Sequence, residues 1–233
     1  TKRYGGGGAV HNPPRPPQEK GWMEPAAGWF SEQRPDPVAA TPPEVWLPLD
    51  STEDKKILNR MNPEMPGSIK NSAKTTEGRA GKAVVMLGDN LVEAAGVEEF
   101  HRTDPFSFGL WIRPKESWER AVVVHRSRAG LDAASRGMEL ILDQMRPSFA
   151  LVHFSPGNEI RVRAPQAVPV DAWTHVACTY DGSSRASGLK IYVNGELAAT
   201  EVVRDGLKKD IVYRPEWGDE DNKDGGFAQR PVG

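Results

Sequence analysis

Residues 173–195 read WTHVACTYDGSSRASGLKIYVNG, and this stretch decides the fold. Over 189–194, apolar and polar residues alternate and the run passes directly into Asn194-Gly195. Alternation with period two is typical of a strand that buries one face. An Asn-Gly pair between two such runs indicates a hairpin, because both central residues of a type I′ turn need positive φ. The stretch therefore predicts strands at 173–180 and 188–194, with a third at 197–203.

The same pattern extends toward the N-terminus, where 106–112 reads FSFGLWI. Here Phe and Leu alternate with Ser and Gly, which again gives one buried face and one more open face. From Val45 onward, short runs rich in Val, Ile, Leu, Phe, Trp and Thr are bounded by Gly, Pro, Asp and Asn, and none carries a long helical period. The pattern predicts an all-β, two-sheet antiparallel sandwich of jelly-roll type, with further strands at 45–49, 83–87, 106–113, 121–126, 137–143, 148–154 and 159–163.

Composition divides the chain into three parts. Residues 1–43 hold 9 of the 20 Pro and 6 of the 23 Gly, too many for a packed core, and are interpreted as an arm or linker. The β-sandwich is expected over 44–213, followed by an acidic, Gly-rich tail at 214–233. Because the tail offers no run of five alternating residues, a final strand is expected to be missing, which leaves an unpaired edge near 45–49 and 106–113.

Charge and cysteine content exclude several function classes. The 30 Lys and Arg nearly balance 32 Asp and Glu, without the basic excess that drives nucleic-acid binding. No apolar run approaches a membrane span. The single Cys178 excludes an internal disulfide and any multi-cysteine zinc site. The chain opens at Thr1 without an apolar signal segment, so we interpret it as a processed or excised piece.

The segments 106–112, 173–182 and 188–195 together resemble a laminin-G-like domain, and the resemblance covers about residues 45–212. It implies the concanavalin A-like lectin/glucanase fold. The segments 183–188 and 200–205 are similar to a narrower group, laminin-G-like modules in exported planctomycete proteins that also carry a c-type cytochrome domain. This likeness implies a larger multidomain chain in the periplasm or outside the cell, although no haem motif lies in these residues.

Glucanases of this superfamily need two closely spaced carboxylates on one strand face, and Glu139 and Asp143 are the nearest match. Four residues along a strand separate them by roughly 13 Å, which exceeds the spacing of either a retaining or an inverting pair. The sequence therefore predicts no catalytic site and no enzyme. A glycoside hydrolase stays an alternative because the fold hosts such enzymes.

A calcium (Ca2+) site is a second candidate, because modules of this fold often carry one and 218–225 is rich in oxygen donors. Asp219 and Asp221 are its candidate ligands, with Asp89 in a turn elsewhere. The segment is not an EF-hand loop, because Asp224 stands where Gly is needed. The alternative is an exposed acidic loop.

The predicted order of the strands brings several polar residues to one end of a sheet. If strands 121–126, 137–143 and 148–154 form a meander, the end of the first, the start of the second and the end of the third meet at one rim. We predict a ligand-binding rim there, and the next strand adds Arg161 and Arg163 on one face. The alternative is that these groups cap exposed strand ends and pair with Asp132 and Glu159. The predicted rim residues are His125, Arg126, Arg136, His153 and Asn158.

Trp118 lies in a turn and is a candidate platform for stacking on a sugar ring, although such a residue can also hold a loop in place. Together these features predict a non-catalytic module that recognises carbohydrate or an adjacent protein domain. A purely structural module that packs on cytochrome or catalytic domains is the alternative.

Overall fold

The computed structural model describes residues 42–50, 52–88, 90–97, 99–127 and 136–212. Within these ranges the chain forms fourteen strands and two short 3₁₀ turns, Glu53–Lys55 and Ala186–Gly188, and no α-helix. No helix there is long and apolar enough to cross a membrane. The strands are β1 Lys56–Ile57, β2 Gly67–Lys70, β3 Thr75–Glu77, β4 Lys82–Val84, β5 Leu91–Glu93, β6 Phe106–Ile112, β7 Arg120–Ser127, β8 Gly137–Asp143, β9 Arg146–Phe154, β10 Asn158–Arg163, β11 Thr174–Tyr180, β12 Leu189–Val193, β13 Glu196–Leu197 and β14 Glu201–Asp205.

Two sheets form the sandwich. One has five strands in the order β14-β10-β9-β8-β7, and the other has four in the order β13-β12-β11-β6. All pairs in both sheets are antiparallel. Two smaller sheets, β1-β2-β5 and β3-β4, come from residues 56–93. The all-β jelly-roll sandwich that the alternating pattern predicted is confirmed.

The core lies between the two main sheets, because each contributes the apolar half of its alternating strands. Leu140, Phe149 and Val162 come from adjacent strands of the five-stranded sheet, and Cys178 and Ile191 come from the other; all are at most 1% exposed. Phe149 meets the rings of Phe106 and Phe108 edge-on, at centroid distances of 6.2 and 5.5 Å. Burial raises the pKa of the Cys178 thiol far above its usual range, so this cysteine is an apolar core residue.

The Asn194-Gly195 hairpin is confirmed. Asn194 has φ 51° and Gly195 has φ 88°, and the pair joins β12 to β13. The predicted single strand at 197–203 is wrong, because the chain leaves the four-stranded sheet after Leu197 and enters the five-stranded sheet as β14 beside β10. An alternating pattern indicates that a segment is an extended strand, but it does not show which sheet the strand joins.

The predicted strand at 45–49 is also wrong. Pro48 lacks a backbone donor and Leu49 adopts φ 64°, so this stretch makes no ladder. The backbone of this stretch instead accepts a hydrogen bond at the Trp46 carbonyl from the N–H of Arg60. The predicted strand at 83–87 ends early, at Val84, and four short strands were not predicted: β1, β2, β3 and β5. Residues 1–41 of the predicted arm (1–43) and the whole predicted tail (214–233) lie outside the described residues.

Candidate functional site: the rim of the five-stranded sheet

The predicted meander is present. Strands β7, β8, β9 and β10 pair antiparallel in sequence order, so Ser127, Gly137 and Val152 lie side by side, and Asn158 pairs with Phe154. Gly137 is required at this edge, because its φ is 139° and a Cβ there would lie 1.9 Å from the carbonyl oxygen of Arg126. The backbone therefore brings the ends of four strands together at one edge, which we call the rim.

His125 and Arg126 point to opposite faces of the sheet, as neighbours in a strand must. His125 Nδ1 lies 3.2 Å from the hydroxyl of Ser127 on the outer face. Arg126 belongs to the inner face, where its guanidinium lies 5.4 Å from the ring centre of Phe100 and donates to the carbonyl of Val97 at 3.0 Å. Burial lowers the pKa of Arg126, while the charge of nearby Glu99 opposes that shift. Arg126 thus anchors the edge of the core.

His153 is a buried polar group of the rim, 8% exposed. Its Nδ1 donates to the backbone carbonyl of Asp210 at 2.6 Å, which fixes the orientation of the ring. Burial lowers the pKa of His153, and the positive charges of Arg136 and Lys209 lower it further, against the opposing influence of Asp210. The rim at His153 therefore combines an imidazole of lowered pKa with the positive charges of Arg136 and Lys209.

Asn158 holds the segment that completes the rim. Its Oδ1 accepts hydrogen bonds from the backbone N–H groups of Lys208 and Lys209, at 2.8 and 3.2 Å. The N–H of Gly206 adds a third bond to the carbonyl of Glu159. These contacts tie the chain after β14 to the start of β10, so two lysines are presented beside the strand ends.

Asp210 ties this segment to the loop that precedes β6. Its carboxylate lies 2.6 Å from His101 Nδ1 and accepts the backbone N–H groups of Arg102 and Ile211. Burial alone would raise the pKa of Asp210, but these hydrogen bonds and the charge of His101 outweigh it and lower the pKa. His101, Lys209 and Asp210 were missed by the sequence reasoning, and no local motif marks them.

The remaining predicted site residues lie elsewhere. Trp118 is 49% exposed, and its backbone N–H donates to the sulfur of Met145 at 3.2 Å. It precedes β7, at the end of that strand opposite His125 and Arg126, so the structure does not bring it to the rim. The candidate calcium ligands Asp89, Asp219 and Asp221 fall outside the described residues. Among the residues that are described, no group of three or more acidic, His or Cys side chains could hold a metal.

The outer face of the five-stranded sheet carries two arginines that each bridge two acids. Arg161 contacts Glu139 at 2.7 Å and Glu159 at 3.6 Å. Arg163 contacts Asp143 and Glu201, both at 2.5 Å. Glu139 and Asp143, the nearest match to a catalytic carboxylate pair, are thus each engaged by a separate arginine. Within the described structure, Glu159 Oε2 is buried and has no hydrogen-bond partner.

The fold and the site define a β-sandwich with polar groups gathered at one sheet rim. Residues 87–227 match the family model of the concanavalin A-like lectin/glucanases superfamily, more than half of the chain, and the chain belongs to that superfamily. No curated protein matches the chain in sequence.

Several solved structures are similar to the chain at low identity. Domain 4 of AbnA, a GH43 extracellular arabinanase from Geobacillus stearothermophilus in complex with arabinotriose, is 16% identical, with a TM-score of 0.45 over 69% of this chain and 79% of that one. A Bacteroides ovatus protein described as carbohydrate-binding is 16% identical, with a TM-score of 0.33 over 60% and 37%. The binding domain of botulinum neurotoxin serotype G is 12% identical, with a TM-score of 0.44 over 66% and 39%. The chain thus spans less than two fifths of the latter two.

Proposed function

We propose that this chain is a non-catalytic recognition module whose rim binds an acidic carbohydrate, within a larger exported polypeptide in the periplasm or outside the cell. The observation that carries the proposal is the geometry of the rim: Arg136 directly precedes Gly137, which pairs with Val152 next to His153, and Asn158 holds Lys209 at the start of the neighbouring strand. Both positive charges act on the His153 imidazole and help to lower its pKa. A planar guanidinium and a lysine ammonium suit the carboxylate or sulfate groups of an acidic polysaccharide.

The rim is also held rigid, which favours recognition. Asn158 fixes the backbone of Lys208 and Lys209, and His153 fixes that of Asp210. A ligand that meets these groups finds them already placed, so little conformational entropy is lost on binding. Loops at the end of a sandwich are where such recognition residues commonly lie.

The outer sheet face supports a binding role over hydrolysis. A glycoside hydrolase needs two carboxyl groups that can reach opposite sides of one glycosidic bond. Glu139 and Asp143 instead each accept hydrogen bonds from an arginine, and Glu139 is 5% exposed. Glu139 is therefore shielded from solvent, and Asp143, although partly exposed, is engaged by Arg163.

Affinity for acidic polysaccharides tests the proposal. We expect calorimetric titration with polygalacturonate at low ionic strength to show binding that weakens as salt is added, with little binding of neutral xylan. Arg136→Ala should reduce the affinity at least about tenfold, because a charge-assisted hydrogen bond contributes about 1.5–3 kcal/mol. Arg120→Ala is the matched control, since Arg120 begins β7 at the end away from the rim.

Two outcomes would contradict this assignment. Equal affinity of the wild type and the Arg136→Ala variant would remove the rim as the site. Binding that is lost in Trp118→Ala but kept in Arg136→Ala would move the site to the opposite end of β7, where Trp118 is half-exposed.

A further inference from the structure

Phe154 is the most exposed large apolar residue in the part of the chain that the structure describes, at 63%. It is the last residue of β9, and the residues of that strand from Pro147 to His153 are all buried. Exposing a phenylalanine ring to water forgoes the free energy that its burial would supply. A ligand that covers the ring would recover that free energy.

The strand order places Phe154 in the middle of the rim. Strand β9 is the central strand of the five-stranded sheet, between β10 and β8. On the β10 side, Phe154 pairs with Asn158, whose Oδ1 holds the backbone of the two lysines at 208–209. On the β8 side, β9 pairs with Gly137, the residue directly after Arg136. Phe154 is therefore flanked by the two cationic parts of the rim.

The turn after Phe154 leaves room beside the ring. Gly157 lies in that turn, and no heavy atom of the described chain lies within 4 Å of the place where its Cβ would be. Gly206 lies across from it, at the start of the segment that leads to the lysines, and a Cβ there would come no closer than 3.6 Å to the Gly157 carbonyl oxygen. Because two glycines lie between the ring and the lysines, a flat ligand can approach the ring from this side.

We infer that Phe154 is the surface on which the rim stacks a sugar ring, and that the ligand is a chain of uronic acids. This inference rests on the proposed function of the rim. One face of a pyranose ring presents C–H groups that pack on an aromatic face, whereas a uronic acid carboxylate needs a cation. Phe154 supplies the aromatic face, and the cations lie on both sides of it.

The separation of the cations favours a chain over a single sugar. From Arg136 across β9 and β10 to the segment at 208–209 there are three inter-strand spacings, roughly 14 Å in all. This distance is wider than one sugar ring. A polyuronate carries a carboxylate on every ring, so a ring on Phe154 leaves the acids of its neighbours toward Arg136 and toward the lysines.

A polyanion without sugar rings separates stacking from charge. Polyglutamate carries carboxylates on a flexible chain, so it can use the cations of the rim but not the face of Phe154. Calorimetric titration with polygalacturonate and with polyglutamate, at the same low ionic strength, therefore tests the inference.

Three variants make the comparison. Phe154→Ala should weaken the binding of polygalacturonate about fivefold and leave the affinity for polyglutamate unchanged. Phe154→Tyr keeps an aromatic face and should bind polygalacturonate as the wild type does. Trp118→Ala is the matched control, because it removes a ring that is 49% exposed but lies at the end of β7 away from the rim. It should change neither affinity.

The outcomes distinguish this inference from the proposed function. If Arg136→Ala loses affinity for polygalacturonate and Phe154→Ala does not, Phe154 is not the stacking surface, and the proposed function stands. If the wild type does not bind polygalacturonate, both are overturned. Equal weakening of both polymers in Phe154→Ala would also overturn the inference, because the side chain would then act on the structure of the rim and not on the sugar.

Discussion

The guanidinium of Arg161 donates to Oε1 of Glu139 at 2.7 Å across the intervening strand β9. The residue between them in the register is Ala150, whose small side chain lets the two long ones meet over it. The side chains of Arg161 and Glu139 are 10% and 6% exposed, so this is a buried ion pair on the outer face of the sheet. Two residues further along β10, Arg163 makes the corresponding pair with Asp143 in a more exposed position.

The two pairs allow a matched comparison. Glu139→Gln should lower the free energy of unfolding by about 3 kcal/mol, because the buried Arg161 loses its closer carboxylate and keeps only the 3.6 Å contact with Glu159. Asp143→Asn removes the same charge from the same strand face, and should cost less than about 1 kcal/mol because the site is hydrated. Urea unfolding of both variants gives the difference. Equal losses would show that burial does not distinguish the pairs.

The second prediction concerns hydrolysis. We expect the purified chain to release no reducing ends from laminarin, agarose or xylan, because Glu139 and Asp143 are each held by an arginine. The assay is a reducing-sugar measurement over long incubation. Activity that disappears in the Glu139→Gln variant, while that variant remains folded, would establish a hydrolase instead.

The long strands could be predicted because each buries one alternating apolar row, as in 106–112 and 189–193. The short strands could not, because β1 holds two residues and β5 three, too few to show a period. The crossing between sheets after Leu197 also escaped prediction, because the alternating pattern does not show with which strand a residue pairs.

The rim was predicted in part. Antiparallel order alone places His125, Arg136, His153 and Asn158 at one edge, which the strand pairing agrees with. The contact of His101 with Asp210 could not be predicted, because the two residues are 109 positions apart and belong to segments with no local signal. Only the tertiary fold brings them together.

The third prediction follows from the lowered pKa of His153. As the pH falls through about 6.5, His153 takes up a proton in the unfolded chain before it does so in the folded one. The free energy of unfolding should therefore decrease as the pH falls from about 6.5 to the pKa of His153 in the folded chain. Below that pH the contribution of His153 should stay constant. His153→Asn keeps a donor near the Asp210 carbonyl but cannot titrate, so the loss of stability between pH 7 and pH 5 should be smaller.

Urea unfolding at several pH values measures this effect. His175, whose pKa burial also lowers, contributes a loss of the same sign and stays in the His153→Asn variant, so part of the pH dependence should persist. An unchanged loss between pH 7 and pH 5 in His153→Asn would show that His153 does not contribute.

The last prediction separates the positioning role of Asn158 from the charge of the rim. Asn158→Ala removes the acceptor for the N–H groups of Lys208 and Lys209, and should cost about 1 kcal/mol of stability and speed hydrogen exchange over 206–210. Asn158→Asp keeps an acceptor at the same place but adds a negative charge. Both variants should bind polygalacturonate more weakly, the first because the lysines lose their fixed position and the second because the charge repels the ligand. Only Asn158→Ala should show faster exchange; if exchange over 206–210 is unchanged in that variant, Asn158 does not hold the segment.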